Sequence, residues 1–132
     1  MKGLLTTAVG SFPKPDYLVR ARNRFAQGGL SPQELWELEK RATEECIRLQ
    51  EEVGLDILVH GEGPMAVAMW RYAQGLTQRP VKGMLTGPYT MVEWSFNEYY
   101  EDRRQAVLDM AQVIHREALE LERAGARYIQ ID

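Results

Sequence analysis

Four short apolar runs, amphipathic stretches between them and Gly- or Pro-marked joints predict an α/β fold of parallel β/α units. The predicted order is β-α-β-α-β-α-β. Runs this short and apolar suit strands buried on both faces of a sheet, with the intervening helices as crossovers.

The first run, "GLLTTAVGSF", carries β-branched residues and closes on Gly-Ser-Phe. Leu4 to Val9 is expected as a strand, with Gly10 onward a loop. "PKPDYLVRARNRFAQGG" reads as a connector with some helical content. "SPQELWELEKRATEECIRLQEEVG" is the clearest helix. Ser31 suits an N-cap, Pro32 suits the first helical position, and Glu34 completes a capping box. Leu35, Leu38, Ala42, Cys46, Leu49 and Val53 predict its apolar stripe, and Gly54 its end.

"LDILVHG" follows as a buried strand, and Met65 to Leu76 as a shorter helix. A third strand is expected near Val81 to Leu85, followed by a Gly-Pro turn. "EYYEDRRQAVLDMAQVIHREALELERAG" predicts a long helix with Val107, Met110, Ile114, Ala118 and Leu121 facing inward and Gly125 as its stop. "ARYIQID" is the fourth strand. Four strands do not close a TIM (β/α)8 barrel, so the chain is read as one partial barrel domain over residues 1–132, about half a barrel.

Chemistry in parallel α/β folds collects at the carboxyl ends of the strands. Here those ends are Gly10-Ser11, His60-Gly61-Glu62, Thr86-Gly87-Pro88 and Asp132. Ser11 equally suits plain turn chemistry, and a lone strand-end carboxylate equally suits a cap or a solvated position. Together they suit a zwitterion: the acids would take an ammonium, and amide N–H groups with the Ser11 hydroxyl would take a carboxylate. His60 and His115 read as packing residues and Cys46 as a small core residue; the three share no metal-ligand spacing. Trp94, past the Gly-Pro turn, suits either core or a platform for a flat heterocycle.

Composition narrows the function classes. A net charge of -3 with interleaved acids and bases argues against a broad basic nucleic-acid or membrane surface. One cysteine excludes an internal disulfide and fits a reducing cytoplasm. "MKGLLTTAVGSFPKP" does not read as a signal peptide, no apolar run reaches membrane-spanning length, and Walker-type phosphate loops are absent.

"TTAVGSFPKP", "GLDILVHGE", "RYAQGLTQRPVKGMLTGPYTMVEWSF" and "LERAGARYIQID" resemble, in order, the catalytic barrel of cobalamin-independent methionine synthase. "VKGMLTGP" followed by "WSF" is the most specific part. The superfamily also holds corrinoid-linked methyltransferases and uroporphyrinogen decarboxylase, whose motifs fit less well. The resemblance implies methyl transfer from a 5-methyltetrahydrofolate, usually polyglutamylated, to homocysteine. It implies a zinc ion that binds the homocysteine sulfur as thiolate. A free thiol, with a pKa of about 8.5, is a poor nucleophile at neutral pH, and a coordinating metal removes its proton. By the same resemblance the turn Val9 to Ser11 holds the homocysteine carboxylate, Glu62 and Asp132 hold its ammonium, and Trp94 lies against the pterin.

Two departures stand out. The family carries a further helix, a folate-contacting loop and a strand between "HGE" and the helix that here begins at Met65. That is about 30 residues or more on the usual size of a β/α unit, so residues 62–65 read as a junction. The family's zinc ligands, a His-x-Cys pair, a Glu and another Cys, follow the "IQID" motif and are absent from this chain. The chain is therefore expected to be inactive alone. The alternatives are a non-catalytic half-barrel that self-associates or binds an amino acid, and one chain of a split methyltransferase.

Overall fold

The computed structural model describes residues 4–8, 12–59 and 67–132. Among the described residues eight elements follow in order: α1 (Asp16–Ala26), α2 (Pro32–Glu52), β1 (Leu58–Val59), α3 (Val67–Gly75), β2 (Val81–Leu85), α4 (Pro88–Glu93), α5 (Arg103–Arg123) and β3 (Ile129–Ile131). The strands form a parallel sheet in the order β1-β2-β3. Leu58 pairs with Val81 and Val59 with Lys82; Gly83, Met84 and Leu85 pair with Ile129, Gln130 and Ile131.

Local chemistry sets most boundaries. The Ser31 hydroxyl accepts from the Glu34 N–H, and the Glu34 carboxylate accepts from the Ser31 N–H at 2.9 Å, the expected capping box. The Ser31 hydroxyl also donates to the Glu34 carboxylate at 2.6 Å, and that bond, with the one from the Ser31 N–H, holds the Glu34 carboxyl below its ordinary pKa. Gly54 and Gly125 take φ of 84° and 105°, the left-handed conformation that ends α2 and α5 and that L side chains rarely adopt. The expected connector contains a regular helix, α1, locked to α2 by a 2.9 Å bond from Arg22 to Glu39. α5 starts at Arg103, later than expected. The Asn97 carboxamide bonds the N–H groups of Tyr99 and Tyr100 at 3.2 and 2.8 Å, and the Asp102 carboxylate caps the helix through the Arg104 N–H. The expected Gly-Pro turn continues into α4, with Gly87 as N-cap and Pro88 in the first turn.

The α2 stripe differs from expectation. Leu49 and Val53 are 49% and 66% exposed, whereas Ala42, Thr43, Ile47 and Gln50 are buried. The inward face is rotated because two polar side chains have partners there. Thr43 Oγ1 donates to the Glu39 carbonyl at 2.9 Å. The Gln50 amide donates to the Val59 carbonyl at 2.6 Å and accepts from the Val59 N–H at 2.8 Å.

Among the described residues of the expected first strand, Leu4 to Ala8, a single parallel bridge joins Thr7 to Ile57. Leu4 and Leu5 are exposed. The Leu58 N–H reaches β2, so the Val59 groups face the opposite edge by alternation, and Gln50 occupies them where a strand would pair. Ala8 instead offers its carbonyl to Lys82 Nζ at 2.8 Å. Val9, the last residue of that expected strand, lies outside the described residues.

The core joins Ile47, Leu58, Trp70, Ala73, Val81, Leu85, Ile114 and Leu121 between the sheet and helices α2, α3 and α5. Val81, beside the start of β3, has its backbone groups closed by side chains. Trp70 Nε1 donates to its carbonyl and Gln74 Oε1 accepts from its N–H, each at 2.9 Å. Burying these groups unpaired would cost about 1–3 kcal/mol each.

Candidate functional site at the carboxyl ends of the strands

The parallel register carries β2 and β3 to a common rim. The Asp132 N–H donates to the Leu85 carbonyl at 3.1 Å, and the Gly87 N–H donates to the Asp132 backbone oxygen. A Cβ on Gly87 would stand 2.6 Å from that oxygen, so the approach requires glycine. Thr86-Gly87 and Asp132, two of the four predicted strand ends, are therefore neighbours. Val9, Ser11, His60 and Glu62 lie outside the described residues.

Below this rim lies a residue that sequence reading passed over. Lys82, in the middle strand, is only 7% exposed. Val81 and Gly83 point toward the helices, where the Gly83 site meets Leu121; Lys82 points to the opposite face by alternation. Its ammonium donates to the Ala8 carbonyl at 2.8 Å and to Gln130 Oε1 at 2.7 Å. Burial pushes the Lys82 pKa down, and the Asp132 carboxylate opposes that shift. A lysine inside the apolar run "VKGML" was the available signal, since a charge in a buried strand needs partners.

Trp94 forms the C-cap of α4 and is 81% exposed, so its core alternative is set aside. A cleft of about 370 Å³ lies nearby between α4 and α5, lined by Val92, Phe96, Tyr99, Tyr100, Met110 and Val113. Trp94 is not part of its wall.

The zinc that the resemblance implies does not fit the donors in view. Among the described residues no group of three or more His, Cys, Asp or Glu side chains could hold a metal ion. Cys46, on α2, is half-buried, and its sulfur accepts from Gln50 Nε2 at 3.2 Å. His115 is exposed on α5 rather than packed.

A parallel sheet with crossover helices, and with glycine and carboxylate at its strand ends, defines a partial β/α barrel. The family model described as "Cobalamin-independent synthase, Catalytic domain" matches residues 4–63 and 62–132, and the chain belongs to that family. A 5-methyltetrahydropteroyltriglutamate–homocysteine methyltransferase of Xylella fastidiosa strain 9a5c is 36% identical over 172 positions, covering 96% of this chain and 23% of that protein. The protein of the same description in Caulobacter vibrioides is 36% identical over 174 positions, covering 98% of this chain and 22% of its own length. The chain thus spans about 23% of the length of such relatives.

Two solved structures share the fold. A B12-independent methionine synthase from Shewanella sp. W3-18-1, in complex with selenomethionine, superposes with a TM-score of 0.81 at 22% identity, covering 96% of this chain and 50% of that one. A putative vitamin-B12-independent methionine synthase from Listeria monocytogenes gives 0.72 at 17% identity, covering 98% and 53%.

Proposed function

We propose that the chain is a fragment of a methionine-synthase-type catalytic barrel whose rim binds homocysteine, the methyl acceptor in transfer from 5-methyltetrahydrofolate polyglutamate. The observation that carries this reading is the seating of Asp132 against Gly87 at the shared strand ends. There a carboxylate can face a ligand ammonium beside a backbone close enough to exclude any side chain. The Val9 to Ser11 turn is assigned the ligand carboxylate and Glu62 a share of the ammonium. Trp94, exposed at the end of α4, is assigned the pterin face.

Residues 62–65 are proposed as a junction where one β/α unit is missing. The family model matches in two segments that meet at residues 62–63, and the Xylella alignment runs 172 positions against a chain of 132 residues. Both facts support that reading. Without the family's zinc donors, the chain by itself is proposed to bind homocysteine and not to methylate it. A single cysteine, Cys46, suits a reducing cytoplasmic setting.

The test is direct. Titration calorimetry with homocysteine is expected to show binding, and incubation with zinc, homocysteine and methyl-folate to yield no methionine. Absence of binding removes the pocket; formation of methionine removes the proposed inactivity.

A second reading concerns partners. The outer edge of β3 has no ladder partner among the described residues, and Tyr128 and Ile131 beside it are exposed. Unpaired edges template further pairing. A second copy of the chain, or a complementing chain that carries the zinc donors, would cover it. Light scattering after size-exclusion chromatography distinguishes a dimer from a monomer.

A further inference from the structure

The described contacts of Lys82 tie together two parts of the sheet that the backbone ladder leaves apart. The segment from Leu4 to Ala8 meets the β1 edge at the Thr7–Ile57 bridge and through bonds between Thr6 and Asp56. β3 lies at the opposite edge. Lys82, on the strand between them, holds the Ala8 carbonyl and the Gln130 side chain with one ammonium. Gln130 is two residues from Asp132, and alternation places both side chains on the same face of β3.

We propose that Lys82 is a positioning residue: its buried ammonium clamps Ala8 to Gln130 across the inner face of the sheet and thereby fixes where Asp132 meets a bound ligand. The proposal rests on the reading of the rim as a homocysteine pocket. A buried ammonium carries a desolvation cost that two neutral oxygen acceptors and the charge of Asp132 offset only in part, since burial still lowers its pKa. An apolar side chain of similar length would avoid that cost. Retention of the charge is therefore explained by where it holds its partners rather than by gain in stability.

The test uses the full chain and compares Lys82→Met with Gln130→Met, which removes only the β3 partner. Hydrogen exchange of the Thr6, Asp56 and Ile57 amides reports the Ala8 side of the clamp, because those groups bond one another across that edge. In Lys82→Met these amides are expected to exchange at least about tenfold faster while the urea midpoint stays level or rises. Homocysteine affinity is expected to fall by about tenfold, the worth of one well-made hydrogen bond. Gln130→Met should move exchange and affinity in the same direction, and decides the matter if Lys82→Met does not fold.

A stability loss that accompanies the affinity loss in proportion would mark a purely structural lysine and overturn the proposal. So would unchanged exchange, or unchanged affinity, in both variants. A wild-type chain that binds no homocysteine removes the pocket reading instead, and the exchange rates alone then uphold or overturn the clamp.

Discussion

Gln50 grips Val59 by both of its backbone groups, at 2.6 Å through the carbonyl and 2.8 Å through the N–H. One side-chain amide thus does for β1 what a neighbouring strand does elsewhere in a sheet. Replacing Gln50 with Leu keeps the volume and strands two buried polar groups, each at a cost of about 1–3 kcal/mol. Urea unfolding of Gln50→Leu is expected to show that loss. Gln50→Glu accepts from Val59 but cannot donate to it, and should fall between Leu and wild type.

Gly87 and Gly83 both sit in tight places, with different expected outcomes. A methyl on Gly87 meets the Asp132 backbone oxygen at 2.6 Å, which can clear only if the end of β3 moves. Gly87→Ala is expected to abolish calorimetric homocysteine binding. A methyl on Gly83 meets Leu121 Cδ1 at 2.9 Å, a side chain that can rotate. Gly83→Ala should cost about 1–3 kcal/mol in thermal or urea unfolding, as overpacked sites do, and leave Asp132 in place.

Tyr72 donates to the Glu44 carboxylate, and that bond, with burial and the charge of Glu44, pushes its pKa from the ordinary 10.0 up to about 12. A raised folded-state value means that the contribution is fully present below pH 10 and is lost as pH rises through about 12. Tyr72→Phe should therefore flatten the alkaline fall of stability in that window. Lys82, lowered by burial, titrates in the opposite sense and cancels when the two proteins are compared.

Trp94 is 81% exposed and touches no core cluster. Trp94→Ala should leave the unfolding midpoint within about 0.5 kcal/mol of wild type, as surface substitutions generally do. Methyl-folate binding, followed by direct titration, is expected to weaken. Equal affinity in the two proteins would remove the pterin-platform assignment.

By itself the sequence determined what depends on near neighbours along the chain. The Ser31–Glu34 box, the stops at Gly54 and Gly125, the extent of β2 and the inner face of α5 all follow from spacings of a few residues. The strand ends at Thr86-Gly87 and Asp132 were legible for the same reason, as was the family through its motifs. Tertiary structure decided what depends on partners far along the chain. The face of α2 turned on Gln50 reaching Val59, where its amide takes both backbone groups. The adjacency of Gly87 and Asp132 came from the register of Leu85 with Ile131, and the role of Lys82 from two acceptors 74 and 48 residues away in sequence. Periodicity ranks residues by hydrophobicity, but a buried polar group is placed by its hydrogen-bond partners, and only the folded chain brings those within reach.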